Sequence, residues 1–208
     1  MRKAYLKLCK KLRYRWYFAY TWLHRSSLKH CGKGVRLEYP IRLEEPHRIS
    51  IGDDVMTHPR VWLNPVVQWA GIQYNGEIII GNRVKIGYDV QISSASSVVI
   101  EEDVAIASRA LIVDHIHDHS HIDMPIREAP LTRPEPVRIG KRSFLGVNCF
   151  IGPGVQIGEH AVIAANAVVN KDVPSYCLAI GNPARVLRYH TPLSDDLEAA
   201  APCEVQLG

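Results

Sequence analysis

The chain has 208 residues, 47% of them hydrophobic, and a formal net charge of +4. It is long enough to bury a sizeable core as one domain and too apolar for wholesale disorder. No run approaches the roughly 20 apolar residues that span a bilayer, and five scattered cysteines without a CxxC pair argue against a disulfide framework or a Cys-rich zinc site.

Residues 1–32 form the first expected unit, a basic and aromatic-rich arm. Residues 1–30 carry nine Lys or Arg and no acid, whereas the remainder carries 16 basic and 21 acidic residues, a net −5. Leu8, Leu12, Trp16, Ala19 and Leu23 can lie on one stripe of a helix or helix pair. Two readings stand side by side. The helix caps the open end of the following domain, or it rests on an anionic lipid surface as a peripheral membrane contact. A nucleic-acid partner is not expected. The N-terminus lacks a clean apolar run and a small-residue cleavage site, so it does not read as a signal peptide. A reducing cytoplasm fits the cysteines, with contact at the inner face of the membrane if the lipid reading holds.

Residues 33–190 are expected to form one domain, because a six-residue period covers roughly residues 50–190 of it. Ile80 opens IGNRVK, IGYDVQ and ISSASS; Ile100 opens IEEDVA, IASRAL and IVDHIH; Ile139 opens IGKRSF, LGVNCF, IGPGVQ, IGEHAV, IAANAV and VNKDVP. An earlier pair, IGDDVM and THPRVW, starts at Ile51. First positions are aliphatic apart from Thr57. Fifth positions are Val or smaller, as at Val84, Val104, Ser143, Cys149 and Ala161, apart from Ile116. Neither a helical period nor simple alternation produces this spacing. A chain that turns a corner every six residues does. The first residue of each six then points inward, the fifth fills the space near the corner, and Gly in the second place relieves backbone strain. Three sixes make one triangular coil, and the coils stack.

Two insertions break the period. Residues 64–79 are expected as a loop or irregular strand. Residues 114–138 form an extended polar loop, and long loops inside compact domains are usually functional or disordered. It opens on DHIHDHSH, four histidines in eight positions. Residues 191–208 lack the period and are expected to be a short helix or a disordered end.

DHIH, the PI dipeptide at Pro125, IGKRSFLG, PGVQIG, AANAVVNKDVP and GNPARV follow one another in that order. With the six-residue period, this series resembles the hexapeptide-repeat acyltransferases, in their sugar O-acetyltransferase and xenobiotic acetyltransferase branch. The resemblance implies an all-β fold, a left-handed parallel β-helix with an N-terminal helical segment and an extended loop. It implies a homotrimer with acetyl-CoA bound at subunit boundaries. It also implies acetyl transfer to a hydroxyl of a sugar or polysaccharide precursor, or of an antibiotic. In that branch one loop histidine is the general base. Counting back from Pro125 gives His117, with His115 the near alternative. Asp114, Asp118 or a backbone carbonyl is left to fix its tautomer.

Such a residue suits the chemistry, because a hydroxyl is a poor nucleophile near neutrality and imidazole can accept its proton. Phosphates of the donor require cations, for which the resemblance offers Lys171, Arg185 and Arg188. An extended pantetheine arm favours small residues at the coil corners: Gly146, Val147, Ala164 and Ala165. Phe144 stands where many relatives have Trp. Asn64, Trp62 and Trp69 flank the first insertion and either contact the acceptor or pack the loop. A metal site is not expected. The γ-class carbonic anhydrases share this fold but spread their ligands over separate coils, whereas these four histidines lie in one loop. A non-catalytic β-helix serving as an assembly subunit is the reading from another class. His58 and His160 are expected as structural or surface residues, and Cys149 as core.

Overall fold

The computed structural model describes residues 2–132 and 134–188; before Arg15 it describes the side chains of Tyr5 and Leu12 alone, and it leaves out that of Arg188. The reading of the 191–208 tail lies outside the described residues.

The chain opens with one helix, α1 (Arg2–Arg25), rather than a helix pair. Its sequence holds no Gly or Pro and is rich in Leu, Lys and Arg, which are good helix formers. The rest winds into a triangular solenoid of three parallel sheets. One face stacks His30–Cys31, Ile49–Ile51, Ile78–Ile80, Val98–Ile100, Val137–Ile139 and Gln156–Ile157. The second runs from Arg36–Leu37 through Lys85–Ile86, Phe144–Leu145 and Val162–Ile163 to a closing antiparallel pair, Cys177–Ile180 with Arg185–Arg188. The third stacks Ile41–Leu43, Val61–Pro65, Gln91–Ser94, Leu111–Val113, Phe150–Ile151 and Val168–Val169.

The six-residue period becomes vertical ladders. Ile80, Ile100, Ile139 and Ile157 are in register on the first face, and Ile86, Ile106, Leu145 and Ile163 on the second. Ile92, Ile112, Ile151 and Val169 follow on the third. All are buried, as are the fifth-position residues Val84, Val104, Ser143, Cys149 and Ala161. Each fully buried Ile contributes roughly 1.5–3 kcal/mol relative to exposure.

Strain sits elsewhere than the second position. The fourth residue of most sixes carries a positive φ, Ala95, His115 and Asp172 being exceptions. Asp54, Arg83, Asp103, Arg142 and His160 form one such column, and Arg60, Asp89, Arg109, Asn148 and Asn166 another, all with φ between 56° and 63°. Backbone bonds between neighbouring corners hold this conformation: the Arg83 N–H donates to Asp53, that of Asp103 to Asn82, and that of Arg142 to Glu102, at 2.7–3.0 Å. Gly in the second position answers a different need. A Cβ on Gly81, Gly87, Gly140 or Gly146 would stand 2.6–2.8 Å from backbone of the next coil. Gly81→Ala is therefore expected to lower stability by about 1–3 kcal/mol, and the melting temperature by about 2–12 °C. Thermal unfolding beside the parent protein reads this directly.

The first insertion is more ordered than a loop. Gln68–Trp69 pairs antiparallel with Ile72–Gln73 across a turn at Ala70–Gly71, both at positive φ.

Helix α1 does cap the first coil, but not through the expected stripe. Thr21 is buried, and its hydroxyl accepts the Leu37 N–H at 2.9 Å. Leu12, Trp16 and Leu23 are exposed, and Ala19 is exposed at the edge of a groove against Gly32, Gly34 and Val35 of the first coil. The Leu8 side chain is outside the described ones.

Candidate active site

The third face ends where the long loop begins. On adjacent coils Asn64, Ser93 and Val113 stand in register, as do Pro65 and Ser94. Asp114 follows immediately and is fully buried. Its Oδ2 accepts the Ser94 hydroxyl at 2.7 Å and the Ser96 N–H at 2.8 Å, and its Oδ1 accepts the Ala95 N–H at 2.7 Å. Oδ1 also lies 2.8 Å from His115 Nδ1. Burial works against the charge, but the bond to His115, the two N–H groups and the hydroxyl outweigh it and hold the carboxyl below the ordinary aspartate value. Ionised, the carboxylate offers only acceptors, so Nδ1 of His115 carries the hydrogen and its Nε2 lone pair is left to act as a base. The His115 side chain is 11% exposed.

The loop stem is braced from both sides. The Glu135 N–H returns to the Asp114 carbonyl at 2.9 Å. His117 bridges Leu131 antiparallel, while Asp118 N–H donates to Pro130 and Thr132 N–H to Ile116. The hairpin of the first insertion docks on this stem. Trp69 Nε1 donates to the Ala129 carbonyl at 3.0 Å, and the Tyr74 hydroxyl accepts the Leu131 N–H at 2.9 Å. The Trp69 ring meets the His117 ring edge-on, with centroids 4.9 Å apart. The two insertions are one structure, which the linear sequence does not disclose.

The two candidate bases thus differ. His117 is exposed and touches Trp69, with no carboxylate hydrogen-bonded to its ring among the described residues. Asp118 is turned instead to Ser120, whose N–H and hydroxyl donate to it at 2.8 and 2.7 Å and lower its pKa. His119 is exposed, and His121 lies 3.6 Å from Asp118. Among the described residues no three His, Cys, Asp or Glu side chains are grouped to hold a metal. Cys149 is buried, and burial pushes its thiol up to about 12, which removes it as a nucleophile.

Of the acceptor candidates, Asn64 donates to the Ser93 hydroxyl at 3.0 Å and Trp69 joins the loop stem. Trp62 lies on the third face, with the Arg42 guanidinium 4.7 Å above its ring. Of the donor candidates, Gly146 sits directly against the Ala164–Ala165 peptide, and Phe144 and Val147 are exposed on either side. Lys171 and Arg185 are exposed at the C-terminal end of the solenoid. The Arg188 side chain is outside the described ones. Sequence reasoning missed Ser94, Ala95 and Ser96 as the Asp114 cradle. The signal was ISSASS, the one six with Ser in four places.

The family profile described as hexapeptide repeat of succinyl-transferase matches residues 136–171. The galactoside O-acetyltransferase of Escherichia coli is 31% identical over 162 residues, 75% of this chain and 77% of that enzyme. The chain belongs to the hexapeptide-repeat acetyltransferases, and its solenoid is their left-handed parallel β-helix. A probable acetyltransferase of Mycobacterium tuberculosis is 29% identical over 178 residues, 79% of this chain. This chain spans 59% of that relative's length. Among solved structures, a mutant of AntD, an N-acyltransferase from Bacillus cereus in complex with dTDP and coenzyme A, superposes with a TM-score of 0.69 at 20% identity. The match covers 82% of this chain and 88% of that one.

Proposed function

We propose that the protein transfers an acetyl group from acetyl-CoA to a hydroxyl of a sugar or polysaccharide precursor, with His115 rather than His117 as general base. The observation that carries this reading is the buried Asp114 carboxylate fixed by three donors and aimed at His115 Nδ1. The Nε2 atom accepts the hydroxyl proton as the acceptor oxygen bonds to the thioester carbonyl carbon. The carbon–sulfur bond then breaks, and the imidazolium returns the proton to the departing thiolate. No covalent enzyme intermediate is needed. Trp69, Asn64 and the loop stem border the acceptor.

On the donor side, the methyl side chains at Ala164 and Ala165 leave corner backbone open to an extended pantetheine, and Gly146, buried against that peptide, lets the two coils approach. Phe144 offers it an apolar wall, and Lys171, Arg185 and Arg188 supply charge for the phosphates. Assembly as a homotrimer is supported by an outer row on the third face, where Leu111, Phe150 and Val168 stand on successive coils and are half-buried, with Trp62 half-buried beyond the exposed Gln91.

The test is an acceptor screen with labelled acetyl-CoA, alongside calorimetric binding of acetyl-CoA. Acetylated sugar hydroxyls, formed equally well in the presence of a chelator, are the expected result. Absence of acetyl-CoA binding would instead make the protein a scaffold, and label found only on amino sugars would move the reaction to nitrogen.

A further inference from the structure

Helix α1 has two unlike sides. The inner side is held to the first coil. Thr21 is buried between Leu37 N–H and the Tyr17 carbonyl, the Arg25 guanidinium donates to the Cys31 carbonyl at 2.8 Å, and the Tyr20 ring meets Tyr39 edge-on. About half a turn around the helix from Thr21 runs the stripe Tyr5, Leu12, Trp16, Ala19 and Leu23. The intervals of seven, four, three and four residues keep these on one side of a 3.6-residue helix. All five are exposed, and Trp22 beside them is 73% exposed. Ala19 and Trp22 border a groove against Gly32, Gly34 and Val35 of the first coil, while Tyr5, Leu12, Trp16 and Leu23 open to solvent. Large apolar groups left in water along one side of a helix, here Leu12, Trp16 and Leu23, mark an interaction surface.

We propose that this stripe inserts into the headgroup region of an anionic lipid surface, with α1 lying in the membrane plane and the β-helix held on its aqueous side. Charge chooses the occupant. Residues 1–30 carry nine Lys or Arg and no acid. Copies of the chain meeting along this stripe would crowd those like charges together, whereas anionic headgroups neutralise them. Composition agrees, since Tyr5, Trp16 and Trp22 have an apolar body with a polar tip, the kind of side chain that settles at headgroup depth. No helix among the described residues is long and apolar enough to cross a membrane, so the contact is peripheral. Capping and lipid contact are compatible, because they use opposite sides of one helix.

The experiment is sedimentation of the full-length protein with vesicles of phosphatidylglycerol and phosphatidylcholine in equal parts, and with phosphatidylcholine alone. Binding to the anionic vesicles, weakened by added salt, and little binding to the neutral ones are expected. The double substitution Trp16→Ser with Leu23→Ser removes apolar surface that makes no contact with the β-helix. It is expected to lower partitioning about tenfold or more, with unchanged helicity, assembled mass and turnover on a soluble acceptor. Full-length protein that ignores anionic vesicles overturns the proposal. So does a double variant that binds them as the parent does. A double variant whose assembled mass changes assigns the stripe to a second copy of the chain and overturns it as well.

Discussion

His115→Ala is expected to lower turnover by about 10²–10⁴-fold, the usual worth of a general base, with acetyl-CoA affinity nearly unchanged. The expectation rests on what His115 has and its neighbours lack. Its Nδ1 is tied to a buried carboxylate, so the ring is fixed in direction and tautomer, and Nε2 is the free atom. His117→Ala removes an exposed ring whose contact is the edge of Trp69. Its effect is expected below about tenfold, and mostly in the acceptor KM, because the loop stem keeps its backbone bonds. His115→Asn serves as the folding control. Its amide can still donate to Asp114, while the Nε2 lone pair is gone. Steady-state kinetics with calorimetric CoA binding decide the matter. If His115→Ala turns over like the parent while His117→Ala loses two orders of magnitude, the base is His117 and the Asp114 argument is wrong.

That contrast bears on how the sequence is read. The ladders were legible because burial at the first and fifth places of each six selects aliphatic and small residues, and composition records burial directly. The left-handed corners were not legible. Asp54, Arg83, His160 and Asn166 share a backbone conformation and little side-chain chemistry, so the column looks like ordinary polar surface. Gly81 and Gly140 invited the wrong reason for the same position, since close backbone approach and positive φ both select glycine. Periodicity found the stripe on α1 but is silent on what faces it, and Thr21, a single polar residue on the other side, makes the docking bond instead. The histidine loop was located by its length and composition. Choosing within it required Ser94–Ser96, about one coil earlier in the chain, and nothing in a linear motif joins those residues to Asp114.

Asp114→Asn separates the two duties of that carboxylate. Four groups point at Asp114: the Ala95 and Ser96 N–H groups, the Ser94 hydroxyl and His115 Nδ1. Asparagine keeps one oxygen and presents an NH₂ in place of the other. If the oxygen stays with Ala95 and His115, the NH₂ faces Ser94, whose hydroxyl can rotate to accept, and the Ser96 N–H, which cannot. One buried donor is then unsatisfied, and stability is expected to fall by about 1–3 kcal/mol, or about 2–12 °C in melting temperature. If the amide flips, His115 Nδ1 must accept a hydrogen bond, the proton moves to Nε2, and the base is lost. Turnover is then expected to fall roughly 10²-fold or more. The pH dependence carries a sign. The Asp114 pKa is lower in the folded protein than in the unfolded chain. Its contribution is complete above the unfolded value and is lost as the pH falls below about 4 and through the folded value. The melting-temperature gap between parent and Asp114→Asn is therefore widest near neutrality and narrows in acid. A gap that stays constant into acid, together with parental turnover, would mean that this carboxylate neither supports the fold nor orients His115.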